Sequence, residues 1–228
     1  LTPSGRGFRH HPGQFAFVQF SAPGLADEVH PFTISQAPND ARALRFTVRD
    51  LGDFTGQLDA ALSTGATVRV AGPFGHFRLL TRNRAPQVWI ASGVGITPFV
   101  AWAQALPDDG AEPVHLFYSA RTRATAPHLD ELEALAAQKA NLQIHFIATQ
   151  QDGRLTAQRI LNDVDGALAD VHVSFCGPVD MRRALQHQLK AAGVATRRFH
   201  FEEFEIRSGL GLRRLWSYLR ASQHGDVS

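Results

Sequence analysis

Four short segments carry residue types suited to binding or redox chemistry. Gly93-Val94-Gly95-Ile96-Thr97-Pro98 joins two glycines, which let backbone approach a ligand closely, to a proline that fits the first position of a helix. The free N–H groups of such a helix start favour a phosphate. Pro98 stands where the dinucleotide pattern G-x-G-x-x-G has its third glycine, so a plain strand-to-helix turn reads the same way. Cys176-Gly177-Pro178 sets a small polarizable side chain where it can lie beside a planar ring, or is a buried cysteine before a turn. In His30-Pro31-Phe32-Thr33-Ile34-Ser35, alternation puts Phe32 and Ile34 on one face and Thr33 and Ser35 on the other. An aromatic and two hydroxyls suit a heteroaromatic ring; an ordinary edge strand has the same pattern. Arg49, then Gly52-Asp53-Phe54-Thr55-Gly56, offers a cation, flexible backbone and a hydroxyl, which makes either a phosphate cradle or a surface turn.

Two halves of different period must position these segments. Residues 1–83 read as short strands, among them Gln14–Phe20, Arg45–Arg49 and Thr67–Val70, with one short helix over Gln57–Leu62. Pro12-Gly13, Pro23-Gly24, Gly52 and Gly72-Pro73 punctuate them. This predicts a small antiparallel Greek-key β-barrel. From residue 84 the rhythm changes to strands at Gln87–Ala91, Val114–Tyr118, Leu142–Ala148, Val171–Cys176 and Arg198–Glu202. Helices are expected from Pro98, over Pro127–Lys139, over Thr156–Leu161, and up to Ala192, where Gly193 caps the last. Alternation of this kind predicts a doubly wound parallel α/β sheet with right-handed crossovers and ligands at its carboxyl edge. The Gly93-Gly95 loop and Cys176-Gly177 both fall on that edge, so both are expected to face one extended ligand. The chain thus divides into residues 1–83, 84–206 and a C-terminal extension, 207–228.

Composition narrows the functions. An apolar fraction of 44% with 19% charged residues excludes a mainly disordered chain. A single cysteine excludes a disulfide framework and a multi-thiolate metal site. A net charge of +2 gives no argument for nucleic acid. The 11 histidines form no i, i+4 pair on an expected helix, so no metal site is expected. Val88–Leu106 is 19 residues without formal charge, near the length of a membrane span. Ser92, Gly93, Gly95, Thr97, Pro98 and Gln104 interrupt it, and a strand–loop–helix unit explains all six. In the extension, Leu212, Leu215, Trp216 and Leu219 share one helical face beside Arg213, Arg214 and Arg220. Such a basic amphipathic helix docks on a membrane partner or packs on its own domain.

In order along the chain, His-Pro-Phe-Thr, Gly-Asp-Phe-Thr, Gly-Pro-Phe-Gly, Gly-Val-Gly-Ile-Thr-Pro-Phe, Cys-Gly-Pro and a final Glu-x-Phe resemble the ferredoxin–NADP reductase superfamily. They are most similar to the cytosolic dehydrogenase domain of ferric reductases and NADPH oxidases. The resemblance runs from Pro12-Gly13-Gln14-Phe15 to Phe201-Glu202-Glu203-Phe204 and implies a barrel that binds FAD and an α/β domain that binds a nicotinamide nucleotide. It implies that Phe32 packs on the isoalloxazine and that Thr33 bonds near its hydride-accepting N5, with His30, Pro31 and Ser35 alongside. Arg49 and Thr55 match the ligands of the FAD pyrophosphate, and Gly72 and Phe74 of Gly-Pro-Phe-Gly border the same site. Gly93, Gly95, Ile96, Thr97 and Pro98 match the nucleotide-pyrophosphate loop. Cys176, with Gly177 and Pro178, matches the edge near nicotinamide C4; Phe204 matches the aromatic that covers the flavin, and Glu202 the acid before it. In many relatives the chain ends at that aromatic, whereas here 24 residues follow Phe204.

The function implied is transfer of a hydride from NADPH to FAD and of single electrons onward. Ser119, Arg121 and Arg123 follow the second strand of the α/β half, and Arg154 follows the third. Arginines with a hydroxyl suit a 2′-phosphate, which favours NADPH, with NADH possible. His30 stands where soluble reductases have arginine, and His-Pro-Phe-Thr is the form of the membrane branch. The expected partner is therefore a transmembrane haem domain, in the same polypeptide or separate, that reduces ferric iron or dioxygen. This segment would itself be soluble, on the cytoplasmic face of the membrane. Leu1 is expected to mark a cut within the first barrel strand. A soluble reductase serving a ferredoxin or oxygenase is the alternative; a regulatory module without catalysis is a third.

Overall fold

A computed structural model describes residues 1–4, 8–26, 28–50, 52–80, 85–108, 112–164 and 170–202. Phe204 and the extension at 207–228 lie outside the described residues.

In the N-terminal half, β1 (Phe15–Phe20) is the central strand of a three-stranded antiparallel sheet. It pairs with β2 (Val29–Thr33) on one side and β3 (Val68–Phe74) on the other. Alternation buries Ala16, Val18 and Phe20, and Phe32, Phe46, Val48 and Phe54 close over them. Arg45–Arg49, expected as a strand, makes only one isolated bridge, Ile34 to Phe46. Leu44 exchanges both backbone hydrogen bonds with Leu1, while the Arg45 and Thr47 side chains reach out of the barrel instead of along a ladder. The expected short helix is present as α1 (Leu58–Ala61).

The C-terminal half is a five-stranded parallel sheet of order β6-β5-β4-β7-β8. Its strands are β4 (Gln87–Ser92), β5 (Val114–Ala120), β6 (Leu142–Ala148), β7 (His172–Cys176) and β8 (Phe199–Glu202). Helices α2 (Thr97–Ala105) and α3 (Leu129–Gln138) cover one face, and α5 (Ala157–Asp163) and α6 (Val179–Ala191) the other. A one-turn helix, α4 (Thr149–Asp152), was not legible in the sequence. The central strands are buried on both faces, which is why β5 reads as a continuous run rather than an alternating one. Strand order reverses between β4 and β7, and a crevice at that switch point is where such a sheet takes ligands. Among the described residues no helix is long and apolar enough to cross a membrane; Val88–Leu106 is β4, a tight turn and α2.

The barrel keeps core clusters of its own, and Phe77 of the N-terminal half is buried in the core of the C-terminal half. Trp102 of α2 stacks on Phe77 at 4.7 Å and donates its indole N–H to the Pro12 carbonyl at 3.0 Å. Gly13, with φ of 94°, has no room for a Cβ against the Phe77 carbonyl and the Trp102 ring. Only glycine lets the indole lie that close.

Candidate active site

The switch point is built from backbone first. Ala91 of β4 stands in register with Cys176 of β7, so the turns that follow them lie side by side. Gly93–Ile96 makes a single 3-10 turn and Thr97 begins α2, with Pro98 in the first turn where its missing N–H costs nothing. Gly93 takes φ of 55°. A Cβ on Gly95 would fall inside the Cys176 carbonyl, and one on Gly177 would sit 3.1 Å from the Ser92 Cβ. Gly95 is therefore required by contact between the two turns, a reason that reading it as a phosphate contact missed. The buried Thr97 hydroxyl is spent on the Val94 carbonyl at 3.1 Å, so it shapes the turn. Ile96 is fully buried beneath it.

Across this edge, Cys176 is in register with Glu202 of β8. The Cys176 thiol is 1% exposed, and burial, reinforced by Glu202, pushes its pKa up. It stays a thiol and contributes bulk and backbone at the site rather than a thiolate. Burial likewise raises the Glu202 carboxyl to about 8, and its buried Oε2 has no hydrogen-bond partner among the described residues. Its Oε1 would lie 3.3 Å from a Cβ on Gly75, which follows β3 with φ of 95°. A neutral acid from the α/β half thus abuts the barrel.

On the barrel side, Thr33 is buried at the end of β2, opposite Phe15. Phe32 is half-buried, with its ring edge-on to Phe20 and Phe46 at 6.1 and 6.5 Å. His30 stacks on Phe54 with centroids 4.0 Å apart and meets Glu28 at 3.0 Å. Phe54, in Gly-Asp-Phe-Thr, owes this part to a ring contact with His30 that the sequence does not show. Ser35 lies apart from these: fully buried, it bonds the Arg45 carbonyl and the Thr47 hydroxyl, both at 3.1 Å, and braces the barrel. Pro31 is half-buried in β2 opposite Phe17, Gly72 leaves room for Ala16 where β3 crosses β1, and Phe74 packs on Phe15 and Phe17. Thr55 borders a cavity of about 790 Å³ lined also by Phe20, Phe46, Val48 and Leu58.

The cations differ in their exposure and in their partners among the described residues. Arg49 is exposed, and its guanidinium comes within 4.0 Å of where a Gly93 Cβ would stand, so barrel and switch-point turn meet there. Arg121, directly after β5, and Arg154, after α4, are exposed, whereas Ser119 is buried within β5. Arg123 differs from the sequence expectation: Glu133 takes it at 2.8 and 2.5 Å and Asp130 at 2.5 Å. Glu133 in turn is held below the usual carboxylate range by that arginine. The pull toward a 2′-phosphate consequently loses one of its arginines.

A guanidinium, a helix start and two close-packed turns at one switch point form a donor set for an extended phosphate-bearing ligand. Comparison with known proteins agrees. Residues 2–97 match the model of an FAD-binding domain, and residues 89–187 that of an oxidoreductase NAD-binding domain. The chain belongs to the ferredoxin–NADP reductase superfamily. The superfamily's two cofactors, FAD and NAD(P)H, are those of this chain. Its fold is similar to the flavohem-like FAD/NAD-binding domain of nitric oxide dioxygenase from Vibrio cholerae, with a TM-score of 0.76 at 24% identity, over 89% of this chain and 90% of that one. It is 30% identical to the stachydrine N-demethylase reductase subunit Stc4 of Rhizobium meliloti, over 91% of this chain and 62% of that protein. It is 28% identical to a flavohemoprotein of a Burkholderia species, over 92% and 56%. The chain thus spans 62% and 56% of the lengths of these last two relatives.

Proposed function

We propose that this chain takes a hydride from NAD(P)H onto FAD and hands electrons singly to an iron acceptor outside the 228 residues. The observation that carries the reading is the meeting, at one sheet switch point, of the Gly93–Ile96 turn, the Cys176-Gly177 edge, the Glu202 side chain and the barrel residues Gly75 and Arg49. FAD, when bound, supplies exchange between a two-electron donor and a one-electron acceptor.

The residues divide the work. Arg49, with Thr55, would hold the FAD pyrophosphate, and Gly72, Phe74, His30, Pro31 and Phe32 would border the ring system, with Phe54 backing His30. Thr33 would donate its hydroxyl at the reacting edge. The α2 start, with Gly93, Gly95, Ile96, Thr97 and Pro98, would take the nucleotide pyrophosphate, and Arg121, Arg154 and Ser119 its adenosine end. Cys176, Gly177 and Pro178 would form the wall against which the nicotinamide lies. Glu202, protonated at neutral pH, adds no negative charge beside the hydride path. Phe204 would cover the flavin until nicotinamide displaces it.

Two acceptors are in view. The His30–Thr33 form favours a haem-bearing membrane domain on the cytoplasmic face. The relatives, named as a reductase subunit of a demethylase and as a flavohemoprotein, favour an oxygenase component or a haem domain as the acceptor, and we give them the greater weight. Fractionation of the full-length protein, followed by anaerobic mixing of the NADPH-reduced chain with a ferredoxin and with a b-type haem protein, tests this. Recovery from the soluble fraction with rapid ferredoxin or haem reduction is expected. Recovery only in membranes would restore the membrane reading.

A further inference from the structure

Glu131, in the first turn of α3, collects donors from three elements. Arg45 Nη2 reaches it from the barrel at 3.0 Å, Gln104 Nε2 from the last turn of α2 at 2.6 Å, and His128 Nδ1 from just before α3 at 2.9 Å. Each donor is anchored again at its far end. Arg45 also donates to the Ser35 carbonyl through Nε at 3.0 Å and Nη2 at 2.7 Å. The Gln104 Oε1 accepts from the Ala37 backbone N–H at 2.7 Å. His128 Nε2 meets the Thr47 hydroxyl at 2.7 Å, and Thr47 meets Ser35 at 3.1 Å. Burial pushes the Glu131 carboxyl up, but its hydrogen bonds from Arg45, His128 and Gln104 outweigh this and hold it below the usual range.

This network bridges the two halves of the molecule at a particular place. Helix α2 is the one that opens at the Gly93–Ile96 turn, and α3 follows the loop that carries Arg121. Both loops on the nucleotide side are thereby tied to the barrel segment around Arg45 and Thr47. A second attachment, Trp102 on Phe77 and Pro12, acts through α2 alone. His128 holds φ of 63°, a conformation non-glycine residues rarely adopt unless their contacts impose it.

We infer that Glu131 is a positioning residue: its clasp sets the orientation of the α/β half about the Trp102–Phe77 contact, and with it the alignment of nucleotide and flavin. The inference rests on reading the two halves as one electron path. Each half keeps its own ligand contacts when the clasp opens, because Glu131 is placed among neither set. What is lost is alignment between them, and hydride transfer is steep in alignment.

The test uses Glu131→Ala, Glu131→Gln and His128→Gly, the last because glycine adopts the His128 backbone conformation freely. Hydrogen exchange on the chain without cofactors is expected to quicken together at residues 45–47 and 121–128 in Glu131→Ala, with β4 and β5 unchanged. In the FAD-loaded chain, flavin content and NADP⁺ affinity are expected to hold, while flavin reduction at saturating NADPH slows by roughly tenfold. A uniform fall in flavin content, NADP⁺ affinity and melting temperature would reduce Glu131 to a stability residue and overturn the inference. So would unchanged exchange at residues 45–47. Should Glu131→Ala not fold, the other two variants decide by the same readouts. If the wild-type chain neither binds FAD nor is reduced, the functional reading fails, and the exchange data still judge the clasp.

Discussion

Cys176 and Glu202 stand side by side on β7 and β8, and burial drives both toward their neutral forms. For Glu202 the folded value, about 8, lies above its ordinary 4.5. Its contribution to stability is therefore full below 4.5 and is lost as pH rises through 8. Glu202→Gln is expected to melt progressively higher than wild type as pH rises from about 5 to about 9, by scanning calorimetry. A constant offset would mean Glu202 is ionised at neutral pH. The buried thiol is expected to resist iodoacetamide until the chain unfolds. Thr33→Ala and Cys176→Ala are expected to slow stopped-flow flavin reduction by roughly tenfold while sparing FAD content; normal rates in both would remove these residues from the transfer step. The types and order of the site residues were legible in the sequence, but the commitments of their side chains were not. Ser35 and Thr97 looked like free hydroxyls, yet one is bonded to Arg45 and Thr47 and the other to Val94. Gly95 looked like a phosphate contact, yet its nearest constraint is the Cys176 backbone, 81 positions along the chain.

At the scale of elements, the start of α3 decides how the nucleotide is read. Asp130 and Glu133 occupy Arg123, whose position before the helix would otherwise leave it free for a 2′-phosphate. Asp130→Asn with Glu133→Gln is expected to raise the NADPH-to-NADH ratio of kcat/KM by roughly tenfold, the worth of one charged hydrogen bond. An unchanged ratio would place Arg123 away from the ribose. The parallel sheet also carries two cross-strand histidine pairs, His115 with His145 at 3.0 Å and His172 with His200 at 3.3 Å. Burial, ahead of nearby charges, lowers the pKa of His145, His172 and His200. Folded values below the ordinary 6.5 mean that stability is full above 6.5 and is lost as pH falls through them. His172→Asn is expected to flatten the fall in melting temperature between about pH 7 and about pH 5. The β-α alternation after residue 84 was legible because buried parallel strands read as apolar runs between capped helices. Alternation in Arg45–Arg49 predicts a strand because it registers β-like spacing but not that Arg45 and Thr47 point at another domain.

For the whole molecule, the change of period marked two halves, but nothing in the sequence said how firmly they join. The join depends on Trp102 meeting a glycine and on Glu131 meeting an arginine from 86 positions away, which no local pattern encodes. Trp102→Ala is expected to lower stability by about 3–5 kcal/mol in chemical denaturation, as for a large buried aromatic, and to loosen both halves together. Two separate unfolding transitions in the wild type would contradict coupling of the halves through Trp102 and Phe77. The central claim is that this chain is an FAD-dependent NAD(P)H oxidoreductase whose two halves meet at one transfer site. Anaerobic addition of NADPH to the FAD-reconstituted chain, followed by absorbance, tests it most directly. The account predicts a yellow protein whose flavin bands bleach within seconds. A chain that binds no added FAD, or whose flavin stays oxidised with both NADPH and NADH, would contradict it.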